Sequence, residues 1–219
     1  MSSLTPAIAW AEMAEGNERF ITGNPAHPRQ DVDYRHELAA AQFPHAALFG
    51  CSDSRLSAEL IFDKGLGDVF VVRNVGQVIS SSVVGSLEYA VWVLHVPLIV
   101  ILSHDSCGAI EAAIDQNTPE ATPLPVRIAR LTDTLQPAID RVRLSHGLPQ
   151  GSLVDAEEVR REHLNDTVAR LLASSELISD AVAAGTLAIV GANYTLSEGR
   201  VTPDVVIGSL EYAPTRHQG

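Results

Sequence analysis

Two cysteines and one histidine are the residues of this chain best suited to chemistry. Cys51 begins the segment CSDSR, and His104 and Cys107 lie three positions apart in the segment HDSCG. Thiolate and imidazole are ligands that zinc prefers in proteins. Three such ligands leave one tetrahedral position of the ion open, as in catalytic zinc sites. The residue types therefore predict a catalytic site with one Zn²⁺ ion per subunit.

Each of these segments follows an apolar run that has the length of a buried strand. Residues 46–50 precede Cys51, and residues 98–103 precede His104. Sites of open parallel sheets form at the carboxyl ends of the strands. We therefore expect the fold to bring the ligands together, although Cys51 stands 53 positions before His104.

Cysteines are also common as small buried apolar residues, which is the alternative interpretation of Cys51 and Cys107. The polar and charged neighbours of both cysteines, such as Asp53 and Asp105, argue against it. Of the eight histidines, only His104 belongs to such a motif. The other histidines, His163 among them, are assigned no role.

Asp53 and Arg55 are two positions apart and can pair on one side of the turn after the first strand. Two thiolates cancel the charge of zinc, so a water on this ion is less acidic than in a three-histidine site. A nearby carboxylate then helps as a proton or hydrogen-bond acceptor, and Arg55 favours its charged form. We predict this role for Asp53. The alternatives are an ion pair that only fixes the loop, and Asp53 as a fourth ligand in a closed state.

Composition excludes several classes of function. The chain has 219 residues, which suits one domain, and 15 basic against 27 acidic residues give a net charge of −12. This charge disfavours nucleic acid and anionic membranes as partners. Two cysteines are too few for a disulfide framework. The first residues do not resemble a signal peptide, and the longest apolar stretch is interrupted by His95 and Pro97, so we expect a cytoplasmic protein.

The order of apolar runs and helical patterns predicts an α/β fold. Continuous apolar runs separated by helices are typical of parallel strands buried on both faces. We expect a four-stranded mostly parallel sheet flanked by helices, from runs near residues 46–50, 69–73, 98–103 and 186–192, with a small edge strand at 205–207. A single domain over 1–219 is expected, with a helical arm (1–44), an α/β core (45–194) and a carboxyl-terminal edge segment (195–219).

Five short blocks, in order and at their spacing, make the chain resemble the β-class carbonic anhydrases of bacterial type. The blocks are GNERF at 16–20, CSDSR at 51–55, GDVFVVRNVG at 67–76, SLEYAV at 86–91 and HDSCGA at 104–109. The resemblance extends to about Val190. Each block alone is a weak signal, whereas the combination is specific.

The resemblance implies an enzyme, a carbonate dehydratase, with zinc held by Cys51, His104 and Cys107. It implies Asp53 and Arg55 as an assisting dyad. The reaction implied is the reversible hydration of carbon dioxide to bicarbonate and a proton by zinc-bound hydroxide.

The resemblance also implies a substrate pocket shared between subunits. Gln42 matches a glutamine that reaches a neighbouring subunit's site, and Phe70, Val75 and Tyr89 match pocket-lining positions, with Gly108 beside them. A homodimer or a dimer of dimers follows, with the amino-terminal helical arm packing on the partner subunit. From the sequence alone, core packing would explain the three apolar residues equally well.

The chain departs from the family pattern at a few positions. Ser103 stands where a glycine usually precedes the zinc histidine. The loop after Arg73 contains Gly76-Gln77, where the family commonly has a small residue followed by asparagine or histidine. We expect changed loop contacts and a retained zinc site. Leu48 replaces a tryptophan associated with a regulatory bicarbonate site, so that site is not predicted. Two alternatives stay open: a hydrolase of carbon disulfide or carbonyl sulfide, and a non-enzymatic zinc-binding protein.

Overall fold

The computed structural model describes residues 4–119 and 121–210. The chain begins with two helices, α1 (Pro6–Ile21) and α2 (Val32–Leu38). Helix α1 begins at Pro6, because Thr5 Oγ1 accepts a hydrogen bond from the Ile8 N–H and Pro6 suits the first helical turn. Residues 1–3, residue 120 and the tail beyond residue 210 lie outside the described residues, and with them the ends of the expected arm (1–44) and edge segment (195–219).

The central sheet has five strands in the order β2-β1-β3-β4-β5. The strands are β1 (Ala46–Cys51), β2 (Val69–Asn74), β3 (Leu98–His104), β4 (Ala188–Thr195) and β5 (Arg200–Ile207). Strands β1 to β4 are parallel, and β5 pairs with β4 in the antiparallel direction. The predicted α/β fold with a mostly parallel sheet is confirmed.

The predicted count of four main strands is one too few. Strand β5 is eight residues long, whereas the sequence indicated only a short edge segment at its end. Its first five residues include Arg200, Pro203 and Asp204, and most residues of the strand are exposed. A half-exposed edge strand lacks the continuous apolar run that reveals a central strand.

Seven further helices surround the sheet within the described residues. They are α3 (Ala58–Ile61), α4 (Ser81–Trp92), α5 (Gly108–Asp115), α6 (Val126–Thr132), α7 (Gln136–Ser145), α8 (Ala156–Ser174) and α9 (Glu176–Ala183). None of the helices in the described part of the chain combines the length and the apolar character that a membrane crossing requires.

Both faces of the sheet are covered by apolar side chains. Alternate residues of β1 point to opposite sides. Leu48 joins a cluster that includes Met13 of α1, and Phe49 joins a second cluster that includes Leu87 of α4 and Leu164 of α8. Every residue of β1 and β3 is buried, which explains their continuous apolar sequences.

Helix α1 packs one face on the core of its own chain, and contact of the arm with a partner subunit stays a prediction. Met13 is fully buried. The Asn17 side chain donates hydrogen bonds to the carbonyls of Ile61 and Gly199 and accepts one from the Val201 N–H. A buried face and a satisfied buried amide fix α1 to the core. Helix α2 has no buried residue, so its packing on a partner stays a prediction.

The connector between α1 and α2 is held by two buried aspartates. The Asp63 carboxylate accepts hydrogen bonds from the backbone N–H groups of residues 26 and 27 and from Arg19 Nε at 2.6 Å. Asp68 pairs with Arg29. Burial opposes the charge of Asp63, but these donors hold the pKa of its carboxyl below the ordinary value. The connector is therefore attached to the core by charge-assisted hydrogen bonds.

Candidate metal centre

The three predicted metal ligands meet at the carboxyl edge of the sheet. Cys51 ends β1, His104 ends β3, and Cys107 is the residue before α5. Their donor atoms all lie within 4.8 Å of one another, and all three residues are buried. Strands β1 and β3 are direct neighbours, so their ends bring together residues that are distant in sequence.

The imidazole of His104 leaves one nitrogen without a partner. Its Nδ1 lies 2.8 Å from the carbonyl oxygen of Asp105, which can only accept, so Nδ1 carries the hydrogen. Its Nε2 is buried and has no hydrogen-bond partner. A buried unpaired polar atom is costly, and a metal ion would satisfy it. Two thiols, one free imidazole nitrogen and their mutual distances fit a tetrahedral metal ion such as zinc.

The two thiols shift each other's pKa in opposite directions. A hydrogen bond from Cys107 lowers the pKa of Cys51 to about 4, helped by His104 and by the N–H of Gly76. The same contact with the Cys51 thiolate raises the pKa of Cys107, and burial adds to that rise. The Gly76 nitrogen lies 3.4 Å from Cys51 Sγ. The lowered pKa of Cys51 favours the thiolate form that binds metals.

Asp53 and Arg55 form the predicted ion pair beside the cluster. Arg55 Nε and Nη2 donate to the two carboxylate oxygens of Asp53 at 2.9 and 2.6 Å. The guanidinium holds the pKa of Asp53 well below its usual range. Arg55 Nη2 also donates to the Ser106 carbonyl at 2.9 Å, which joins the loop after β1 to the loop after β3. In this structure Asp53 is bound to Arg55 and is not part of the group of three ligand residues.

Sequence reasoning assigned no role to Arg73, which supports the same loop. This residue of β2 donates from Nε to the Cys51 carbonyl at 2.9 Å and from Nη2 to the Asp53 carbonyl at 2.6 Å. In the sequence, Arg73 stands out only as a member of the block GDVFVVRNVG at 67–76. Its function depends on the pairing of β2 with β1, which places it opposite Gly50.

Two of the predicted pocket residues are sequence neighbours of residues at the cluster. Val75 comes before Gly76, whose N–H contacts Cys51, and its side chain is half exposed. Gly108 follows Cys107 as the first residue of α5. A methyl group added at Gly108 would meet no other atom within 4 Å, so this position is open space. The structure thus places an apolar side chain and an unobstructed backbone beside the candidate ligands.

The other three predicted pocket residues form a separate group on the surface between α2 and α4. The Phe70 and Tyr89 rings are 6.1 Å apart, and the Tyr89 side chain is half exposed. Gln42 is exposed and lines a shallow cleft together with Tyr89. The single chain therefore does not bury these three side chains around a closed pocket.

Comparison with known proteins identifies the family. The family model for carbonic anhydrases matches residues 46–201, which include all three candidate ligands. The chain belongs to the carbonic anhydrase family. The resemblance seen in the sequence is confirmed, and so is the prediction that the chain is an enzyme of this family.

Relatives match the chain over nearly its full length. It is 47% identical to carbonic anhydrase 2 of Mycobacterium tuberculosis, over 96% of this chain and 98% of that protein. It is 45% identical to the carbonic anhydrase of Mycolicibacterium smegmatis, over 92% of this chain and 94% of that protein.

Solved structures show the same fold. A β-carbonic anhydrase of Coccomyxa in complex with acetazolamide superposes with a TM-score of 0.68 at 26% identity, over 94% of this chain and 89% of that chain. A tetrameric β-carbonic anhydrase of Sordaria macrospora gives a TM-score of 0.68 at 24% identity, over 89% of this chain and 97% of that chain. The second similarity concerns the fold alone.

Proposed function

We propose that this carbonic anhydrase family member catalyses the zinc-dependent reversible hydration of carbon dioxide to bicarbonate and a proton. The observation that carries the proposal is the buried, unpartnered Nε2 of His104 within 4.8 Å of two cysteine sulfurs. Family membership adds the reaction, because the curated relatives of this length are named carbonic anhydrases.

Cys51, His104 and Cys107 would hold the zinc ion. Zinc in such a site supplies a Lewis acid that lowers the pKa of water and so provides a nucleophile at neutral pH. The Asp105 carbonyl keeps the His104 ring in the tautomer that presents Nε2. The Gly76 N–H stabilises negative charge on Cys51.

Asp53 is proposed to act on the proton of the attacking water. Because Arg55 keeps Asp53 ionised, its carboxylate can accept a hydrogen bond throughout the neutral range. Arg73 and Arg55 fix the backbone and the side chain of Asp53, respectively. Pre-oriented acceptors lose little free energy to reorganisation during the reaction.

The substrate wall is proposed to be completed by a second copy of the chain. Val75 offers an apolar surface beside the ligands, which suits a linear nonpolar molecule. Phe70, Tyr89 and Gln42 lie on a surface that one chain leaves open, and Gln42 would reach the partner's site. We propose a homodimer, or a dimer of dimers, formed by a single-domain subunit.

Stopped-flow measurement of carbon dioxide hydration, before and after removal of metal with a chelator, tests the proposal. We expect one zinc ion per chain and activity that disappears with the metal and returns with added zinc. Full zinc content without hydration between about pH 6 and 9 would contradict the enzymatic function. Turnover of carbonyl sulfide or carbon disulfide in place of carbon dioxide would contradict the proposed substrate.

A further inference from the structure

A buried histidine contacts the metal-site loop, residues 75–77, and is neither a candidate ligand nor a predicted pocket residue. His163 lies in α8 and is only 5% exposed. Its Nε2 is 2.8 Å from the carbonyl oxygen of Gly76. A carbonyl only accepts, so His163 Nε2 carries the hydrogen and donates it. Burial lowers the pKa of His163, which keeps the ring in this neutral form.

Gly76 connects this histidine to the metal cluster. The same residue that accepts from His163 through its carbonyl donates from its N–H to Cys51 Sγ, 3.4 Å away. The two groups belong to consecutive peptide planes. A donor that fixes the carbonyl of Gly76 therefore also restricts the direction of its N–H.

The loop needs such a support because its backbone is strained. Gly76 and Gln77 both have positive φ angles, of 74° and 52°. The left-handed region disfavours a residue with a side chain such as Gln77. A methyl group at Gly76 would also lie 3.0 Å from the Ala109 Cβ. This conformation persists only when its surroundings hold it in place.

Two contacts hold the loop from different directions. At the two ends of the loop, the Asn74 amide donates to the Val78 carbonyl at 2.7 Å and accepts a hydrogen bond from the Val78 N–H at 2.8 Å. At its tip, His163 binds the Gly76 carbonyl from α8. The ends of the loop are thus held by a local contact, whereas the position of Gly76 depends on His163, 87 positions away.

We propose that His163 is a positioning residue for the metal centre, which aims the Gly76 N–H at Cys51 Sγ. This inference rests on the proposed zinc site. An N–H donor withdraws charge from a thiolate and orients it, so it sets both the affinity of the site and the donor strength of the sulfur. His163 touches neither ligand nor substrate and acts only through Gly76.

Three variants of His163 test the proposal. His163→Gln retains an amide donor near the position of Nε2, His163→Asn carries the same amide on a shorter side chain, and His163→Leu removes the donor. Leu171→Ala is the matched control, because Leu171 is a fully buried residue of α8 outside the loop. Each variant is purified as the full chain, and its unfolding midpoint is recorded.

The readouts are zinc affinity, from competition with a chromophoric chelator, and the thiolate-to-cobalt absorption band of the cobalt-substituted protein. We expect His163→Leu and His163→Asn to bind zinc about 10- to 100-fold more weakly and to shift the cobalt band. His163→Gln should restore most of the affinity. Leu171→Ala should keep the affinity and the band of the original chain despite lower stability.

The proposal is overturned if folded His163→Leu binds zinc as tightly as the original chain does. Equal losses in Leu171→Ala and His163→Leu would overturn it too, since both would then reflect stability. If His163→Leu does not fold, the comparison of His163→Gln with His163→Asn decides. Equal zinc affinities of these two variants would overturn the proposal. A failure of the original chain to bind zinc would instead contradict the proposed function.

Discussion

The proposed active site has a ligand half and a substrate half, and a single chain completes only the ligand half. The ligand half is buried and complete: Cys51, His104 and Cys107 are at most 8% exposed, and charged groups fix the loops around them. The substrate half is open, because Val75 and Tyr89 are about half exposed and Gln42 lies on the surface. Buried strand ends position the first half, whereas an edge strand and a surface helix carry the second.

This difference indicates which properties belong to the single chain. Metal binding needs donors held in place, and the sheet supplies them through the paired ends of β1 and β3. Enclosing a nonpolar substrate needs apolar surface on all sides, and the chain exposes large apolar side chains, such as Trp92, near Tyr89 on α4. A contiguous exposed apolar patch of this kind is typical of an interaction surface.

The largest expected effect comes from loss of a ligand. His104→Ala or Cys51→Ala should lose stoichiometric zinc, and hydration should fall to the uncatalysed background, because the remaining donors no longer form a three-ligand site. Zinc analysis and stopped-flow hydration check both statements. Full hydration activity in either variant would show that these residues are not the ligands.

Removal of the carboxylate charge should affect turnover and leave the metal in place. Asp53→Asn should retain zinc and lose about a hundredfold or more in turnover at neutral pH, the range expected for a proton acceptor. Asp166→Asn is a suitable control, because Asp166 also pairs with an arginine, Arg141, but on the surface of α8. Unchanged rates for Asp53→Asn would exclude the proposed role.

A negative charge introduced on the exposed surface of α4 should weaken the association of subunits. Trp92 is 70% exposed in the single chain, and a second copy would cover it. Trp92→Asp should weaken self-association about thirtyfold or more, as expected for an aromatic residue central to an interface. Analytical ultracentrifugation measures this, with Leu144→Asp, at an exposed position of α7, as the control. A monomeric original chain would refute the shared pocket.

Truncation in the core beneath the ligand half should change stability alone. Met13→Ala removes a fully buried side chain of α1 and should lower the free energy of unfolding by about 2–5 kcal/mol. Zinc content and turnover of the folded fraction should stay the same. Denaturant titration checks the first statement. No change in stability would contradict the packing of α1 on the core of its own chain.

The sequence revealed those parts of the fold and site that depend on residue type in a buried strand. Strands β1 and β3 were recognisable because burial on both faces requires continuous apolar residues. The ligands were recognisable because cysteine and histidine at strand ends have few other uses. Strand β5 was underestimated because an exposed edge strand has mixed composition.

The supporting residues were missed because their roles depend on long-range pairing. His163 meets Gly76 across 87 positions, and nothing in its local sequence distinguishes it from a core histidine. Arg73 reaches Cys51 only through the register of β2 with β1. The core contact of α1 was also not evident, because an amphipathic helix shows that a face is buried but not which chain buries it.

The aspartates that hold the connector between α1 and α2 have a consequence for acid behaviour. Asp63 has a lowered pKa when folded, so its contribution is present above the carboxyl's unfolded pKa and is lost as the pH falls through the folded value. The sheet, which is held by apolar packing, does not depend on this ionisation. Acid below the ordinary pKa of a carboxyl should therefore detach residues 24–31 first, as a local opening that makes this segment the earliest site of proteolytic cleavage.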